Sequence, residues 1–298
     1  MNVAVVVNPS AASGRFRHRL PQVLSTLERR LRIEVLTTRS SADAVAACGR
    51  ALDGGAQALV AIGGDGTFHT ALRALDGRDV PFALIPAGTC NDMADALGLP
   101  ADPVAAAAAT AESLADGNVQ QVDLAEVVYP DGRTLRFGTV LAIGYAASVA
   151  DRGGRLKWPA GPRRYDVAAL LELPRFRGRV YDVTLDGVAA QLPAVLFSVG
   201  NTGRCGGKLH VCPDADIADG YLDVTTQGPN SLPATLGSTM RLFSGVRSAT
   251  DTSTRRFRVR ETHIASAGHV TFADGEPLPP PPFTVRCAAG ALTVPKVG

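Results

Sequence analysis

The sequence predicts an N-terminal three-layer α/β domain followed by a C-terminal, mainly antiparallel β-sandwich domain. Residues 1–122 alternate short apolar runs with segments of helical periodicity, which is typical of a parallel sheet covered by helices on both faces. Residues 123–298 instead contain many short, alternating apolar segments, some of them separated by turn pairs such as Asp131-Gly132. We therefore predict a domain boundary at 122/123, with the option that the final strand returns to the first domain.

The elements of the first domain follow from periodicity and from end signals. Between Phe16 and Leu31 apolar residues recur at three- to four-residue spacing, as on one face of a helix. An alanine-rich segment has Pro103 near its start and Gly117 after its end, as helices often do. The predicted strands are Val3–Val7, Ile33–Leu36, Leu59–Ile62 and Phe82–Ile85, and the predicted helices are Phe16–Leu31, Ala42–Leu52, Thr70–Leu75 and Pro103–Ala115.

The second domain is predicted to be rich in strands, with two helices near Arg164–Leu173 and Leu232–Phe243 and a polyproline connector at Pro279–Pro282. Its predicted strands are Leu124–Tyr129, Leu135–Gly144, Val180–Leu185, Ala194–Val199, Tyr221–Thr226, Arg256–Arg260, Val270–Ala273, Phe283–Cys287 and Leu292–Val294.

Composition excludes several classes of protein. The net charge of the 298 residues is only +2, which does not suggest a general affinity for nucleic acid. The five cysteines form no CxxC pair, which fits reduced thiols in a cytoplasmic protein. No window approaches the roughly 20 apolar residues of a membrane-spanning helix, and the apolar run at Val3–Val7 is too short for a signal peptide. We expect a cytoplasmic protein that meets a membrane only at its surface.

The most informative segment is the glycine-rich turn Gly63–Thr67, which follows an apolar run and precedes a helix. Backbone N–H groups exposed by such a turn suit a phosphate, although the carboxylate of Asp65 would repel it unless a divalent cation lies nearby. The turn contains no P-loop motif, and His69 stands where a dinucleotide fingerprint needs its third glycine. The alternative is a tight turn that needs glycine only for backbone reasons.

Two other loops follow predicted strands of the first domain and are rich in small and hydroxyl residues. They are 8–14, which begins with Asn8-Pro9-Ser10, and 86–92, which contains Gly88-Thr89. Because parallel strands end at the same edge of a sheet, these loops and the glycine turn are expected to form a ligand crevice there.

Five motifs in order resemble the diacylglycerol kinase catalytic family, which includes soluble bacterial diacylglycerol kinases, related bacterial lipid kinases, and sphingosine and ceramide kinases. The motifs are Asn8-Pro9 with Ser13-Gly14, Gly63-Gly64-Asp65-Gly66-Thr67, Pro86-Ala87-Gly88-Thr89 with Asn91-Asp92, Ala218-Asp219-Gly220-Tyr221-Leu222-Asp223-Val224, and Asp274-Gly275-Glu276. A single GGDG motif also occurs in NAD kinases and phosphofructokinases, whereas five motifs in family order cover nearly the whole chain.

The resemblance implies that the N-terminal domain binds ATP, that the C-terminal domain helps to form a lipid pocket, and that the active site lies in the cleft between them. By position, the implied nucleotide contacts are Asn8, Pro9, Ser10, Thr38, Gly63, Gly64, Asp65, Gly66, Thr67, Phe68, His69, Thr70 and Thr89. Without the resemblance, Thr38 is equally well interpreted as a helix cap before Ala42. The family commonly has Asn at the position of His69, so we treat this histidine as a ligand contact and not as a base.

The resemblance also assigns the acids. Glu276 would accept the proton of the lipid hydroxyl, and Asp274 belongs to the same catalytic motif, although on local sequence alone this motif is an exposed hairpin tip. Asp65 would hold Mg²⁺ on the phosphates, but it could also be the base. The bacterial enzymes that the chain resembles carry a structural Mg²⁺ in the Asp216–Tyr221 segment. The resemblance therefore implies that the carboxylate of Asp219 and the carbonyls of Asp216 and Tyr221 would bind such an ion here. The alternative for that segment is a solvated acidic turn.

A basic region with aromatic residues predicts contact with a membrane surface. It contains Trp158 and Phe176 and the basic residues Arg152, Arg155, Lys157, Arg163, Arg164, Arg175, Arg177 and Arg179. Such a mixture suits an anionic bilayer, and the alternative is a solvated face. Exposed strand edges in the second domain could pair with a second copy of the chain, so we also predict a homodimer.

The leading hypothesis is therefore an ATP- and Mg²⁺-dependent kinase that phosphorylates a hydroxyl of diacylglycerol or a related lipid. A second hypothesis is a small-molecule kinase similar to NAD kinase, which shares the GGDG motif. A third is a lipid-binding or regulatory protein that has lost catalysis, for which His69 is the best support.

Overall fold

The computed structural model describes residues 1–8, 16–156, 158–159, 163–172, 178–207, 209–228, 253–266 and 270–297. The chain divides into two compact units. The first comprises Met1–Leu124 and Ala289–Gly298, and the second comprises Ala125–Ala288. Within the described residues no helix is long and apolar enough to cross a membrane.

The first unit contains a four-stranded parallel sheet with the strand order β2-β1-β3-β4. The strands are β1 (Asn2–Val7), β2 (Arg32–Leu36), β3 (Ala58–Gly63) and β4 (Phe82–Pro86), and the helices are α1 (Leu20–Glu28), α2 (Ser41–Asp53), α3 (Asp65–Leu75), α4 (Asp92–Ala96) and α5 (Pro103–Asp116). Both faces of β3 and β4 are buried. This is the burial expected of central parallel strands that are covered by helices on both sides.

The helices of this unit form two layers. Helices α1 and α5 contact each other, and so do α2 and α3. The apolar core that contains residues of α1 and α5 takes alternate residues of the sheet, including Val3, Val5 and Val60. Because successive strand residues point to opposite faces, the residues between them face the other helix layer. The predicted three-layer α/β architecture is therefore present.

The second unit is a β-sandwich of two six-stranded sheets, ordered β12-β11-β10-β7-β14-β15 and β6-β5-β16-β13-β8-β9. Its strands are β5 (Val119–Val128), β6 (Thr134–Phe137), β7 (Val140–Gly144), β8 (Arg179–Leu185), β9 (Val188–Ala194), β10 (Leu196–Gly200), β11 (Leu222–Gln227), β12 (Thr254–Val259), β13 (Glu261–Ile264), β14 (Thr271–Ala273), β15 (Glu276–Leu278) and β16 (Phe283–Pro295). The residues of β5 before Ala125 and those of β16 after Ala288 belong to the first unit. Helices α6 (Tyr145–Arg155) and α7 (Arg163–Glu172) follow β7. One apolar core contains residues of both sheets, including Leu141, Phe197 and Phe283.

Several predicted bounds were wrong for identifiable reasons. Helix α1 begins at Leu20 because Phe16 to Arg19 form turns, and α3 begins at Asp65, earlier than predicted, because the glycine turn itself opens the helix. Strand β9, which the sequence analysis missed, contains Pro193, and proline is tolerated there because β9 is an edge strand. The two predicted C-terminal strands form one strand, β16. The predicted helix Leu232–Phe243 lies outside the described residues.

Candidate active site

The glycine turn joins β3 directly to α3. Gly64 is the N-cap of the helix, and its carbonyl accepts hydrogen bonds from the N–H groups of Thr67 (2.9 Å) and Phe68 (3.0 Å). A Cβ atom on Gly63 would lie 2.5 Å from the Cβ of Thr67, so only glycine fits this close approach. The positive end of the α3 dipole therefore lies at the carboxyl edge of the sheet, where an anion is favoured.

The loop after β4 packs against the glycine turn through backbone atoms. A Cβ on Gly64 would lie 2.9 Å from the Cα of Gly88, and a Cβ on Gly88 would lie 2.7 Å from the Oδ1 of Asn91. Asn91 has a left-handed backbone (φ 56°), and its Oδ1 accepts a hydrogen bond from the N–H of Gly88 at 2.9 Å. Both glycines are thus required by a contact between two loops that are distant in sequence.

The end of β1 joins the same cluster. The Asn8 side chain donates a hydrogen bond to the Oγ1 of Thr67 at 3.2 Å, and its backbone N–H donates to the carbonyl of Ile62. Asn8, at the end of β1, and the loops after β3 and β4 are therefore brought together at one edge of the sheet. Pro9 and Ser10, which are predicted to contact the nucleotide, lie outside the described residues.

Asp65 lies in the first turn of α3, and its carboxylate faces the start of α4. Its Oδ1 accepts a hydrogen bond from the N–H of Met93 at 3.2 Å. Desolvation of the Cys90 thiol, followed by the negative charges of Asp92 and Asp65, raises the pKa of that thiol to about 11. The loop after β4 thus experiences the negative charge of two carboxylates, which is a chemically suitable environment for a hard divalent cation.

The other predicted nucleotide contacts differ in what they can offer. The Phe68 ring is buried and packs edge-to-face on Phe82 at 5.7 Å, so only the Phe68 backbone is left to contact a ligand. Thr70 is also buried, and its hydroxyl donates to the carbonyl of Gly66 and lies 2.9 Å from the Ser41 hydroxyl. These two side chains support the helix from within.

Three further side chains of the predicted nucleotide site are accessible. Thr89 is exposed, and His69 and Thr38 are half-buried. The interpretation of Thr38 as the cap of α2 was wrong, because the cap is Ser40, whose Oγ accepts the N–H of Asp43.

In the second unit, the Asp274-Gly275-Glu276 motif forms a tight hairpin between β14 and β15. Asp274 and Gly275 have φ values of 51° and 80°, and the flanking residues Ala273 and Glu276 are paired. Two central residues with positive φ indicate a type I′ turn, which matches the predicted hairpin tip. The motif is therefore a rigid corner of the sandwich.

The two acids of this hairpin have different environments. The Asp274 carboxylate is buried, and it accepts hydrogen bonds from the N–H of Gly138 (3.0 Å), the N–H of Thr139 (2.8 Å) and the Thr139 hydroxyl (2.6 Å). Glu276 is exposed at the start of the edge strand β15. Asp274 thus anchors the turn, and Glu276 is the acid that is accessible to a substrate.

The loop that was predicted to hold a structural Mg²⁺ is closed by its own hydrogen bonds. Asp216 Oδ1 accepts from the N–H of Ala218, and Asp219 Oδ1 accepts from the N–H of Tyr221. The second oxygen of Asp219 is 2.6 Å from a guanidinium nitrogen of Arg258. Within the described part of the chain, no group of three or more His, Cys, Asp or Glu side chains is arranged to hold a metal ion.

The residues that hold these motifs in place were not among the predicted site residues. Gly138 and Thr139 bind the Asp274 carboxylate from a loop between β6 and β7 that carries no recognisable motif. Asn91 belongs to the Pro86–Asp92 motif but was not among the predicted site residues, although an Asn two residues after Gly-Thr is a signal for a left-handed turn. No local pattern could have identified Thr139.

Comparisons with known proteins define the class. The family model for the diacylglycerol kinase catalytic domain matches residues 2–127. A second family model, described as the "YegS C-terminal NAD kinase beta sandwich-like domain", matches residues 139–296. Together with the α/β and β-sandwich units, these matches indicate a lipid kinase built from two domains.

Individual relatives agree with this class. The chain is 37% identical over 243 residues to the diacylglycerol kinase of Mycobacterium tuberculosis strain H37Rv, covering 80% of this chain and 77% of that protein. It is 30% identical over 272 residues to a "Probable lipid kinase YegS-like" of Stenotrophomonas maltophilia, covering 88% and 86%. A solved diacylglycerol kinase structure from Bacillus anthracis shares the fold, with 23% identity, a TM-score of 0.74, and coverage of 99% of this chain and 96% of that one. The chain belongs to the diacylglycerol kinase catalytic family.

Proposed function

We propose that this lipid kinase transfers the γ-phosphoryl group of ATP, in the presence of Mg²⁺, to a hydroxyl group of diacylglycerol or a related lipid. The observation that carries the proposal is the convergence of Asn8, at the end of β1, with the loops after β3 and β4 and with Asp65 in the first turn of α3. A helix N-terminus beside an acidic side chain suits a phosphate chain that is bound together with a divalent cation.

The nucleotide would be held mainly by backbone groups. The Gly64–Gly88 contact keeps two loops at the helix N-terminus without side chains in between, so their backbone is open to phosphate oxygens. The Thr67 hydroxyl, which accepts a hydrogen bond from Asn8, holds the end of β1 at the same position. The exposed hydroxyl of Thr89 is available as a further donor. These residues would bind and orient the phosphates.

The residues around Asp65 fit a magnesium ion, because a carboxylate is a preferred Mg²⁺ ligand and Asp92, one residue before the Met93 N–H that binds Asp65, adds negative charge. Asp65 would hold Mg²⁺, which when bound would offset negative charge on the phosphates during transfer. The hydrogen bond from the N–H of Met93 would orient the carboxylate for this task.

Glu276 would act as the general base. Its carboxylate would take the proton of the lipid hydroxyl while the hydroxyl oxygen forms a bond to the γ-phosphorus and the bond from that phosphorus to the leaving ADP breaks. Asp274 would position this hairpin through its three buried hydrogen bonds without touching the substrate. The predicted cleft between the domains, in which both sets of residues would meet, stays part of this proposal.

A transfer assay tests the function and the role of Asp65 together. With γ-labelled ATP, Mg²⁺ and diacylglycerol in mixed micelles, we expect label in a chloroform-soluble product. Asp65→Asn keeps an oxygen for the Met93 N–H but loses the charge, so it should lower the rate by about 100-fold or more. Asp53→Asn, which removes a surface carboxylate paired with Arg78, is the matched control and should keep the rate. In a parallel reaction that contains NAD in place of the lipid, label on NAD would contradict the proposal. Absence of label in the lipid product, or full activity of Asp65→Asn, would contradict it as well.

We also propose that the enzyme takes its lipid from a membrane surface through α7 and the residue Trp158. Trp158 is 81% exposed and Leu170 is 69% exposed, so both large apolar side chains are accessible to a partner surface. Arg163, Val167 and Leu170 recur at helical spacing along one face of α7, and Leu171 is exposed beside them. An apolar helix face with a basic residue at its end suits an anionic bilayer surface.

The opposite face of α7 is held firmly to α6. The Tyr145 hydroxyl donates to the carbonyl of Ala169 at 2.6 Å, and Arg152 forms an ion pair with the buried Glu172. Gly153 allows close packing, because a Cβ there would lie 2.7 Å from Cε1 of Tyr165. The exposed leucines are therefore presented by a fixed helix pair. Of the basic region, Lys157, Arg175, Phe176 and Arg177 lie outside the described residues.

Vesicle sedimentation checks the membrane proposal. Wild-type protein should bind vesicles with an anionic lipid better than neutral vesicles, and high salt should weaken the binding. Leu170→Ser with Leu171→Ser should reduce the affinity by about tenfold or more, because two apolar side chains no longer leave water. Val188→Ser is the matched control, since Val188 is also 69% exposed but lies on β9. Equal binding to neutral and anionic vesicles, or an equal effect of the control, would refute the proposal.

The remaining predictions, a cytoplasmic location and a homodimer, stay predictions. The first rests on the reduced cysteines and the second on strand edges of the β-sandwich, such as that of β9, the outermost strand of its sheet.

A further inference from the structure

The loop that contains Asp216 and Asp219 uses its acidic side chains to close its own backbone. Asp216 Oδ1 accepts the N–H of Ala218 at 3.0 Å, two residues further on, and Asp219 Oδ1 accepts the N–H of Tyr221 at 2.9 Å. Both contacts have the form of a local Asx turn. One oxygen of each carboxylate is thus already engaged within the loop.

The second oxygen of Asp219 is bound by a guanidinium group from a neighbouring strand. Arg258 lies on β12, and the register of β11 and β12 places it directly opposite Asp223, four residues after Asp219. Its Nη2 is 2.6 Å from Asp219 Oδ2, and the Asp219 side chain is only 19% exposed. A partly buried, charge-assisted contact of this length is among the stronger hydrogen bonds in proteins.

Tyr221 fixes the guanidinium in place. The Arg258 guanidinium lies over the Tyr221 ring at 4.5 Å, and that of Arg260 lies 5.1 Å from the same ring. Arg260 also donates to the Tyr221 hydroxyl at 3.4 Å. Two guanidinium groups thus lie at one ring, and one of them neutralises the charge of the Asp219 carboxylate.

These contacts leave little for a divalent cation. A hard cation such as Mg²⁺ or Ca²⁺ needs six or more oxygen ligands, and a carboxylate is usually the strongest of them. Both Asp219 oxygens are engaged, and a cation would also have to approach Arg258 and Arg260 against electrostatic repulsion. The side-chain oxygens that this loop offers therefore do not fit the structural Mg²⁺ that the resemblance implies.

We propose that the guanidinium of Arg258 takes the place of that structural cation, so that the Asp216–Tyr221 loop is stabilised within the chain and without metal. The loop would then fold equally well in the presence and absence of divalent cations. Removal of the guanidinium would free Asp219 Oδ2 and produce a loop that binds a cation. Magnesium would then be needed only with the phosphates.

The test measures thermal unfolding with no nucleotide and no lipid, so its outcome does not depend on the proposed kinase reaction. Four proteins are compared: the wild type, Arg258→Gln, Asp219→Asn, and the double variant that carries both substitutions. All four are stripped with a chelator and then titrated with Mg²⁺ or Ca²⁺. Within each pair that differs only at Asp219, the cation-induced shift in Tm of the Asp219→Asn protein is subtracted from that of its parent. The difference is the part of the shift that requires Asp219, and the subtraction removes contributions from other cation sites such as Asp65.

We expect this Asp219-dependent shift to be zero in the wild type and positive and saturable in Arg258→Gln, reaching about 2–4 °C or more. Arg255→Gln, which removes an exposed arginine from the same strand, is the matched control and should behave as the wild type. An Asp219-dependent shift in the wild type would overturn the proposal, and so would its absence in Arg258→Gln.

Discussion

A Glu276→Gln variant should lose lipid kinase activity by a factor of about 10²–10⁴, the usual contribution of a general base, while its stability stays that of the wild type. The amide keeps the size of the side chain but cannot accept the proton of the lipid hydroxyl. Because Glu276 is exposed at the start of an edge strand, the substitution breaks no buried contact. The measurement is the initial rate with γ-labelled ATP and diacylglycerol, together with a thermal unfolding curve.

The neighbouring acid provides the matched variant. Asp274→Asn places an amide group among the N–H groups of Gly138 and Thr139, which need an acceptor, so the variant should be destabilised by about 1.5–3 kcal/mol. Its activity should fall through loss of folded protein and recover at low temperature. If Asp274→Asn keeps its stability but loses catalysis, whereas Glu276→Gln stays active, the two acids have been assigned the wrong way round.

Gly88→Ala should lower the activity by about 100-fold, because displacement of a positioning loop by about 1 Å can cost that much. The added methyl group would overlap the Cα of Gly64 and lie 2.7 Å from the Oδ1 of Asn91, so the loops after β3 and β4 would have to separate. Overpacking of this kind should also reduce the free energy of unfolding by about 1–3 kcal/mol. Steady-state kinetics and urea unfolding check both effects.

Gly49→Ala is the control for this prediction. Gly49 lies inside α2, and nothing is within 4 Å of a Cβ atom there. Replacing a helical glycine by alanine should be neutral or stabilising by up to about 1 kcal/mol, with unchanged activity. A Gly88→Ala protein as active as Gly49→Ala would show that the contact between the two loops does not shape the site.

At the glycine turn, the order of the elements was predictable from the sequence, but the first residue of the helix was not. The strand, the turn and the helix are consecutive in the sequence, so their order could be predicted from local patterns alone. The start of α3 could not, because glycine is a poor helix former and only the cap at Gly64 shows that Asp65 is already helical. The family position of Phe68 also predicted a ligand contact, whereas packing on Phe82 leaves only its backbone for that role.

In the second unit, the errors of prediction concern whole strands. Turn pairs and alternating apolar residues predicted most of its strands, but the inner strand β13 and the edge strands β9 and β15 were not predicted. Strand β9 contains a proline, and β15 is very short, so neither carries a strong local signal. Their existence depends on neighbouring strands that pair with them.

The two-domain architecture and the family could be predicted from periodicities and motifs, because these lie within short stretches of chain. The environment of each acid could not, because it depends on the tertiary structure. That structure buried Asp274 against Thr139, left Glu276 exposed, joined Asp65 to the start of α4 and paired Asp219 with Arg258. Each of these outcomes depends on a partner or an environment that folding supplies from elsewhere in the chain. The charge and reactivity of a side chain are set by those neighbours in space.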